Sequence, residues 1–379
     1  MPATVLGRAV PCPRRVATMA RRPMNRRLLG GTDTPRPPFR GVSVPVLLVT
    51  CFAGCGGADS RISSVETPML PETLFHRIGT IDLEENEEVI NVSPTVDVDD
   101  DGSFLIADGR ESRVRIYRPR GSLVTQFGME GEGPGEFGTP TRVWRQPDGG
   151  LMVVDMSRGF MEFDSSGHRY LRGSAIPVQM LYTADPLSVD FTLVAGLLRG
   201  SKDPRPLLHV WDRETESFLQ SFFPTPGDSL TRLAARNFGW ADFARRGDSI
   251  AAISAFTDTL FLFDPAGQEL GRVPLPIRDF RRIRSYNPRG SPVELDEWLG
   301  ELHLLVDVHW LSDGSFLVQY QRPRGADNEW NLLRTTVAGD RVFDLRNTPE
   351  LLAVDGDRLF FVDPQSLTPN RWAITRLRE

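Results

Sequence analysis

Between Asp97 and Asp108 the chain reads DVDDDGSFLIAD, which fits the pattern D-x-D-x-D-G-x5-D. Asp97, Asp99 and Asp101 stand on alternate positions, Gly102 allows a sharp turn, and Asp108 takes the closing place where a calcium loop usually carries Glu. Carboxylates at that spacing offer hard oxygen ligands to Ca2+. The same residues also read as an ordinary acidic hairpin turn, because Asp148-Gly149 and Asp313-Gly314 repeat the Asp-Gly without the additional acids and no helical pattern flanks them. Calcium at Asp97, Asp99, Asp101 and Asp108 is the one cofactor the sequence admits; otherwise none is expected.

Other chemistry is thinly supported. Gly128, Gly131, Gly133 and Gly135 are not followed by Gly-Lys-Ser/Thr and lack a strand-to-helix context, so they read as a loop rather than a phosphate cradle. The histidines (His76, His168, His209, His303, His309) are scattered, and the spacing of His303 and His309 is not that of a helical zinc pair. No Ser/His/Asp arrangement stands out. Cys12, Cys51 and Cys55 all lie near the amino end, which leaves the body without thiols for a disulfide or a cysteine nucleophile. Catalytic residues therefore remain unassigned, and a binding module is the expectation rather than an enzyme.

The elements that must position these residues are short alternating runs. Phe104–Ala107, Val114–Tyr117 and Leu123–Phe127 are bounded by Asp101-Gly102, Gly109–Ser112 and Arg120-Gly121, and with Thr95–Val98 in front they make a four-stranded antiparallel sheet. One such sheet leaves two apolar faces uncovered and needs copies of itself to pack against. The copies follow. Asp148–Asp155 with Phe163–Gly167 matches the first unit position by position, at a glycine spacing suited to a propeller blade. A degenerate third has Phe191–Ala195 and Leu207–Trp211; a fourth Gly247–Ile253 and Thr259–Gly267; a fifth Asp313–Val318 and Leu332–Val337; a sixth Gly356–Asp363 and Trp372–Leu377. The sixth lacks an outer strand, and the isolated run Phe75–Leu83 would supply it and close the ring. The fold class expected is all-β, a six-bladed β-propeller of four-stranded antiparallel blades with the last blade closed by the N-terminal strand.

Ahead of this body, residues 1–41 are rich in Arg and Pro and have no hydrophobic period, and Val42–Phe52 is an apolar run too short to span a bilayer comfortably. Phe52-Ala53-Gly54-Cys55 follows, then Gly56-Gly57-Ala58-Asp59-Ser60. This resembles the lipobox of bacterial lipoproteins, which implies cleavage before Cys55 and lipidation of its thiol; the alternative is an ordinary secretory peptide cut at small residues. The expected organisation is 1–55 leader with lipobox, 56–74 flexible tether and 75–379 propeller. Gly131–Pro140 (GEGPGEFGTP), the Asp148–Asp155 turn and strand, and Phe163-Asp164 with Gly167 together resemble an NHL-type repeat. The body is similar to the six-bladed propeller lipoproteins of Gram-negative bacteria, which implies a fold and an exported location in the cell envelope, in the periplasm or attached to the outer membrane, but no single activity.

Charge adds one further expectation. Residues 1–54 hold nine Arg against the single acid Asp33, leaving 35 basic and 49 acidic side chains beyond them, a net of −14. That balance excludes general nucleic-acid binding, which needs a clustered basic surface. In a propeller the second-to-third strand connections share one face, and there they would gather Arg110, Arg113, Arg158, Arg199, Lys202, Arg205, Arg322, Arg324 and Arg371, with Arg278, Arg281, Arg282, Arg284 and Arg289 in the connection after blade four. Such a face would suit an anionic small molecule or glycan, or an envelope protein; equally, it is a set of solvated arginines paired with nearby acids. Trp240, Tyr286, Trp298 and Trp330 in the longer loops would either stack on a ligand or hold the loops down. The functional expectation is an exported, lipid-anchored, monomeric propeller that binds a partner on its long-loop face, with a metal-dependent hydrolase or lyase working in the central channel as the alternative.

Overall fold

The computed structural model describes residues 67–84, 95–198, 204–238, 240–287, 290–324, 327–366 and 369–378; the leader, Cys55, most of the tether, Arg199, Lys202 and Arg289 lie outside them. After β1 (Phe75–Asp82), blade one contains β2 (Thr95–Val98), β3 (Phe104–Asp108), β4 (Arg113–Tyr117) and β5 (Leu123–Phe127). Blade two contains β6 (Pro140–Arg145), β7 (Leu151–Asp155), β8 (Gly159–Phe163) and β9 (Tyr170–Ser174), and blade three β10 (Val178–Pro186), β11 (Phe191–Leu198), β12 (Pro206–Asp212) and β13 (Ser217–Pro224). Helix α1 (Ser229–Phe238) precedes blade four, with β14 (Ala241–Arg246), β15 (Ser249–Ser254), β16 (Thr259–Phe263) and β17 (Glu269–Pro274). Helix α2 (Pro292–Gly300) precedes blade five, with β18 (Leu304–Trp310), β19 (Phe316–Arg324), β20 (Asp327–Thr335) and β21 (Arg341–Leu345). Blade six has β22 (Leu351–Asp355), β23 (Arg358–Val362) and β24 (Arg371–Leu377), and β1 is its fourth strand.

These six four-stranded antiparallel sheets form the expected propeller. β1 pairs with β24 from Phe75 opposite Leu377 to Asp82 opposite Arg371, and the Arg77 guanidinium reaches Asp363 at 2.7 Å. The first strands of neighbouring blades, β2, β6, β10, β14, β18 and β22, face one another around a central channel. Blade three is complete; β10 and β13 carry no clear alternation in sequence, and only their pairing defines them.

The period-2 geometry of a strand explains the core. Phe104 and Ile106 of β3 pack towards blade six, while Leu105 and Ala107 pack towards blade two. Repeated around the ring, this gives one apolar cluster between each pair of adjacent blades, with Trp372, Tyr117, Phe137, Trp211 and Phe360 among the largest buried side chains. A seventh cluster lies in the connections, where Ala234, Ala235, Ile283 and Leu302 join α1, α2 and the loops into a cap. Helix α2 starts on a capping box, Ser291 accepting from the Glu294 N–H at 3.3 Å and Glu294 accepting from the Ser291 N–H at 2.7 Å.

Every outer strand contains one register skip, and the skipped residue is always apolar and exposed: Ile78, Val124, Leu171, Leu219, Leu270 and Val342, at 41% to 57%. A bulge adds local twist and leaves its residue outside the ladder, which bends each outer strand around its blade and interrupts an edge that another strand could otherwise extend. Tight turns close the blades on one face. Gly121 holds one of them at φ +89, where a β-carbon would lie 2.2 Å from the carbonyl oxygen of Asp82, so only glycine fits. The opposite face carries α1, α2 and the long connections.

Candidate functional site

The channel is built by the first strand of each blade. In four of these strands the ladder skips one residue immediately before a channel-facing position: Thr141 before Arg142, Tyr182 before Thr183, Val306 before Asp307 and Leu352 before Ala353. Each bulge re-aims the side chain that follows. The strands of blades one and four pair without a skip and supply Asp97 and Asp242. The result is a waist lined by Asp97, Arg142, Thr183, Asp242, Asp307 and His309. A chamber of about 500 Å³ opens from it towards the long-loop face, bounded by Tyr182, Trp240, Trp330 and Glu350. A second of about 410 Å³ continues towards the tight-turn face, past Asp185 and Arg245.

The waist is strongly charged. Arg142 Nε lies 3.6 Å from Asp97 Oδ2, and Arg245 Nε 3.5 Å from Asp185 Oδ2. Protein surrounds Arg142 on all sides, although 28% of its side-chain surface is reached by water through the channel. The Asp97 charge raises its basicity, burial opposes this, and Asp185, Asp242 and Asp307 add to the rise. Asp242 and Asp307, from adjacent blades, are within hydrogen-bonding reach of each other. Two carboxyls that close cannot both ionise cheaply, so they share a proton. Burial and then the Asp307 charge push Asp242 well above the usual carboxylate range, against the N–H of Val308, which donates to its Oδ2 at 2.9 Å. Burial disfavours ionisation of Asp307 too, but His309, with Nε2 at 2.9 Å from Oδ2, the hydrogen bond from Asp242 and the Arg142 charge outweigh it and hold Asp307 low. Burial likewise raises Asp185, only partly countered by Arg142 and Arg245. At the chamber wall, burial alone lifts Glu350 to about 7, and its carboxyl makes no ion pair or hydrogen bond among the described residues.

The residues singled out in sequence are distributed differently. Asp97 faces the channel, while Asp99 turns to Arg145 Nε at 2.6 Å and Asp101 accepts from the Ser103 N–H at 2.8 Å. That last bond lowers the Asp101 carboxyl, and the same turn chemistry recurs at Asp148 and Asp313. Asp108 lies at the far end of β3, fully buried, its Oδ2 accepting from Arg115 Nη1 at 2.6 Å. Four extended residues separate it from the turn by about 13 Å, so the four aspartates are not brought together. Among the described residues, no three His, Cys, Asp or Glu side chains converge to hold a metal ion.

The second-to-third strand connections do share the long-loop face, but several of their arginines serve the protein itself. Arg158 donates to the carbonyls of Glu132, Gly133 and Glu136 at 2.6 to 2.8 Å, with Gly131 at 3.3 Å. The Gly-rich loop thus wraps a guanidinium, and a β-carbon at Gly131 would lie 2.0 Å from Glu136 Oε2. Arg322 donates to the Gly300 carbonyl at the end of α2, and Arg371 lies 3.2 Å from Asp363. Arg205 also has a partner, Arg113 is partly buried, and Arg110 is exposed. β19 carries Arg324 at its end, next to residues outside those described. The aromatic residues divide as well. Trp298 packs at a tilt against Tyr286, ring centroids 4.9 Å apart, and donates to the Ser285 carbonyl, fixing the cap, whereas Trp330 lines the channel chamber and Trp240 does both, packing against the cap cluster and lining the chamber.

The sequence offers His309 only beside His303, whose spacing points to no helical zinc pair, and does not single out Asp307. The available signal was the alternation of Leu305-Val306-Asp307-Val308-His309, two polar groups on one face of an otherwise apolar strand.

No protein-family model and no curated protein matches this sequence. Solved structures match in fold. A member of the DUF4221 family from Bacteroides vulgatus superposes with a TM-score of 0.57 at 9% identity, covering 81% of this chain and 99% of that one. A predicted exported protein from Bacteroides fragilis superposes at 0.54 with 12% identity, covering 81% and 96%. At these identities the likeness shows a shared propeller fold.

Proposed function

We propose that this chain is an exported β-propeller of the cell envelope, tethered by a lipid on Cys55, that binds a ligand in its central channel from the long-loop face. The observation that carries this reading is the chamber of about 500 Å³ at that mouth, with aromatic walls above a waist of partly buried acids that perturb one another. Perturbed titrating groups converging on a cavity are the usual physical mark of a binding site, and a volume of this order suits a small molecule. The capped loops support the reading, since they make the mouth asymmetric: long connections and two helices on one face, tight turns on the other.

The test is a thermal-shift screen of anionic, cationic and neutral small molecules against the full chain and against Thr183→Trp, which fills the waist. Ligands of the channel raise the melting temperature of the wild type and leave that of Thr183→Trp unchanged. Compounds that stabilise both proteins equally would place binding elsewhere and end the reading. Replacement of Cys55 by Ala should move the protein from the membrane to the soluble fraction; unchanged membrane association would remove the lipid tether.

A further inference from the structure

Resting on the channel reading above, we propose that the chamber takes an organic cation, a ligand whose ammonium or guanidinium group sits between the carboxyls of Asp242, Asp307 and Glu350 while its body lies against Tyr182, Trp240 and Trp330. The charge count points this way. Asp97 is paired with Arg142 and Asp185 with Arg245, which leaves Asp242, Asp307 and Glu350 with His309 as the one further basic side chain among the described residues of the chamber lining. The chain already holds one cation in this field, because Arg142 lies at the waist with its positive charge stabilised by Asp97 and the three further aspartates.

A second observation is independent of that count. Asp242 and Asp307 stand close enough to retain a proton between them, and Glu350, with no partner for its carboxyl among the described residues, still carries a proton about half the time at neutrality. A proton held at Glu350, where no cation of the described residues offsets the burial, marks a positive charge that a ligand can supply. Indole and phenol rings suit the same guest, since their faces attract cations. An anion would meet the opposite field, and the loop arginines at Arg158, Arg322 and Arg371 are already engaged.

Binding of a cation should therefore displace a proton. The groups facing the Asp242 carboxyl are Asp307 and His309 on β18, Arg142 on β6, Asp97 on β2, and Asp185 with Arg245 further down the channel. Glu350 titrates at about 7, so the affinity should rise with pH, up to tenfold per unit, as Glu350 loses its proton.

Isothermal titration of the full chain with agmatine and benzylamine, and with glutarate and benzoate as anionic counterparts, in two buffers of different ionisation enthalpy, tests the proposal. The amines should bind with release of about one proton, and the anions should not bind. Asp242→Asn with Glu350→Gln should weaken amine binding at least about tenfold with the circular dichroism unchanged; if that pair fails to fold, Glu350→Gln alone should give a several-fold loss at pH 8. Anions binding in preference to amines would overturn the cation while leaving a Thr183→Trp-sensitive channel site in place. Amine binding that survives Thr183→Trp or the carboxyl substitutions would be a surface effect and overturn it too, as would no saturation by either amine below about 10 mM.

Discussion

Replacing Glu350 with Gln keeps the shape of the side chain and removes its charge. The wild-type carboxyl titrates in the folded protein at about 7 against an ordinary value of 4.5, because burial penalises the anion and no cation offsets it. The sign follows from linkage. The raised carboxyl costs nothing below about pH 4.5, where both states are protonated, and its penalty grows as the unfolded chain ionises first. It levels off above about pH 8. A shift of this size corresponds to about 3 kcal/mol at the plateau, an upper value because water enters the channel. Urea unfolding of wild type and Glu350→Gln at intervals from about pH 4.5 to 8.5 isolates this contribution, since every other titrating group cancels in the difference. The variant should gain stability relative to wild type across that range, by about 1 to 3 kcal/mol in total, with equal m-values. A constant offset at all pH values reflects the amide alone and would refute the burial argument. A variant that loses stability at high pH would show that ionised Glu350 has a favourable partner.

Asp108 and Arg115 form an ion pair with both side chains at 0% exposure, so Arg115→Met alone should cost about 3 to 5 kcal/mol by chemical denaturation, and Asp108→Leu with Arg115→Met should recover most of it. Phe75 of β1 is 3% exposed against Phe343 and Phe361, so Phe75→Ala should cost about 3 kcal/mol or more, read as an earlier urea midpoint. Because Asp99 and Asp101 are engaged in their turn and Asp108 is remote from them, calcium added to the full chain should leave the melting temperature unchanged; a saturable rise would reveal a site these contacts do not show.

The fold was legible wherever strand alternation coincided with an Asp-Gly turn, as at Asp101-Gly102 and Asp313-Gly314, because the turn chemistry and the two buried faces of a blade constrain the same few positions. The channel was less legible. Its strands carry extra residues at Thr141, Tyr182, Val306 and Leu352, which break the period that reveals a strand and shift the channel position by one. The meeting of Asp242 with Asp307 joins blades four and five, and no local pattern encodes a contact between two first strands. The role of Arg158 was hidden for a similar reason: its partners are backbone carbonyls, which a sequence does not distinguish.

The pairing of β1 with β24 has a consequence for how the molecule is made. The strand at residues 75–82 is made before blades one to five and its partner at 371–377 only after them, so β1 must wait through the synthesis of all five. Five blades can assemble in order behind it while the sixth stands open at its edge. Closure, with Phe75 entering the core between blades five and six and Arg77 meeting Asp363, can come only once residues 371–377 have been made. Ring formation is thus a checkpoint on completeness, since a chain that stops short of residue 371 leaves β1 unpaired and the inter-blade core that holds Phe75 exposed for quality control to recognise.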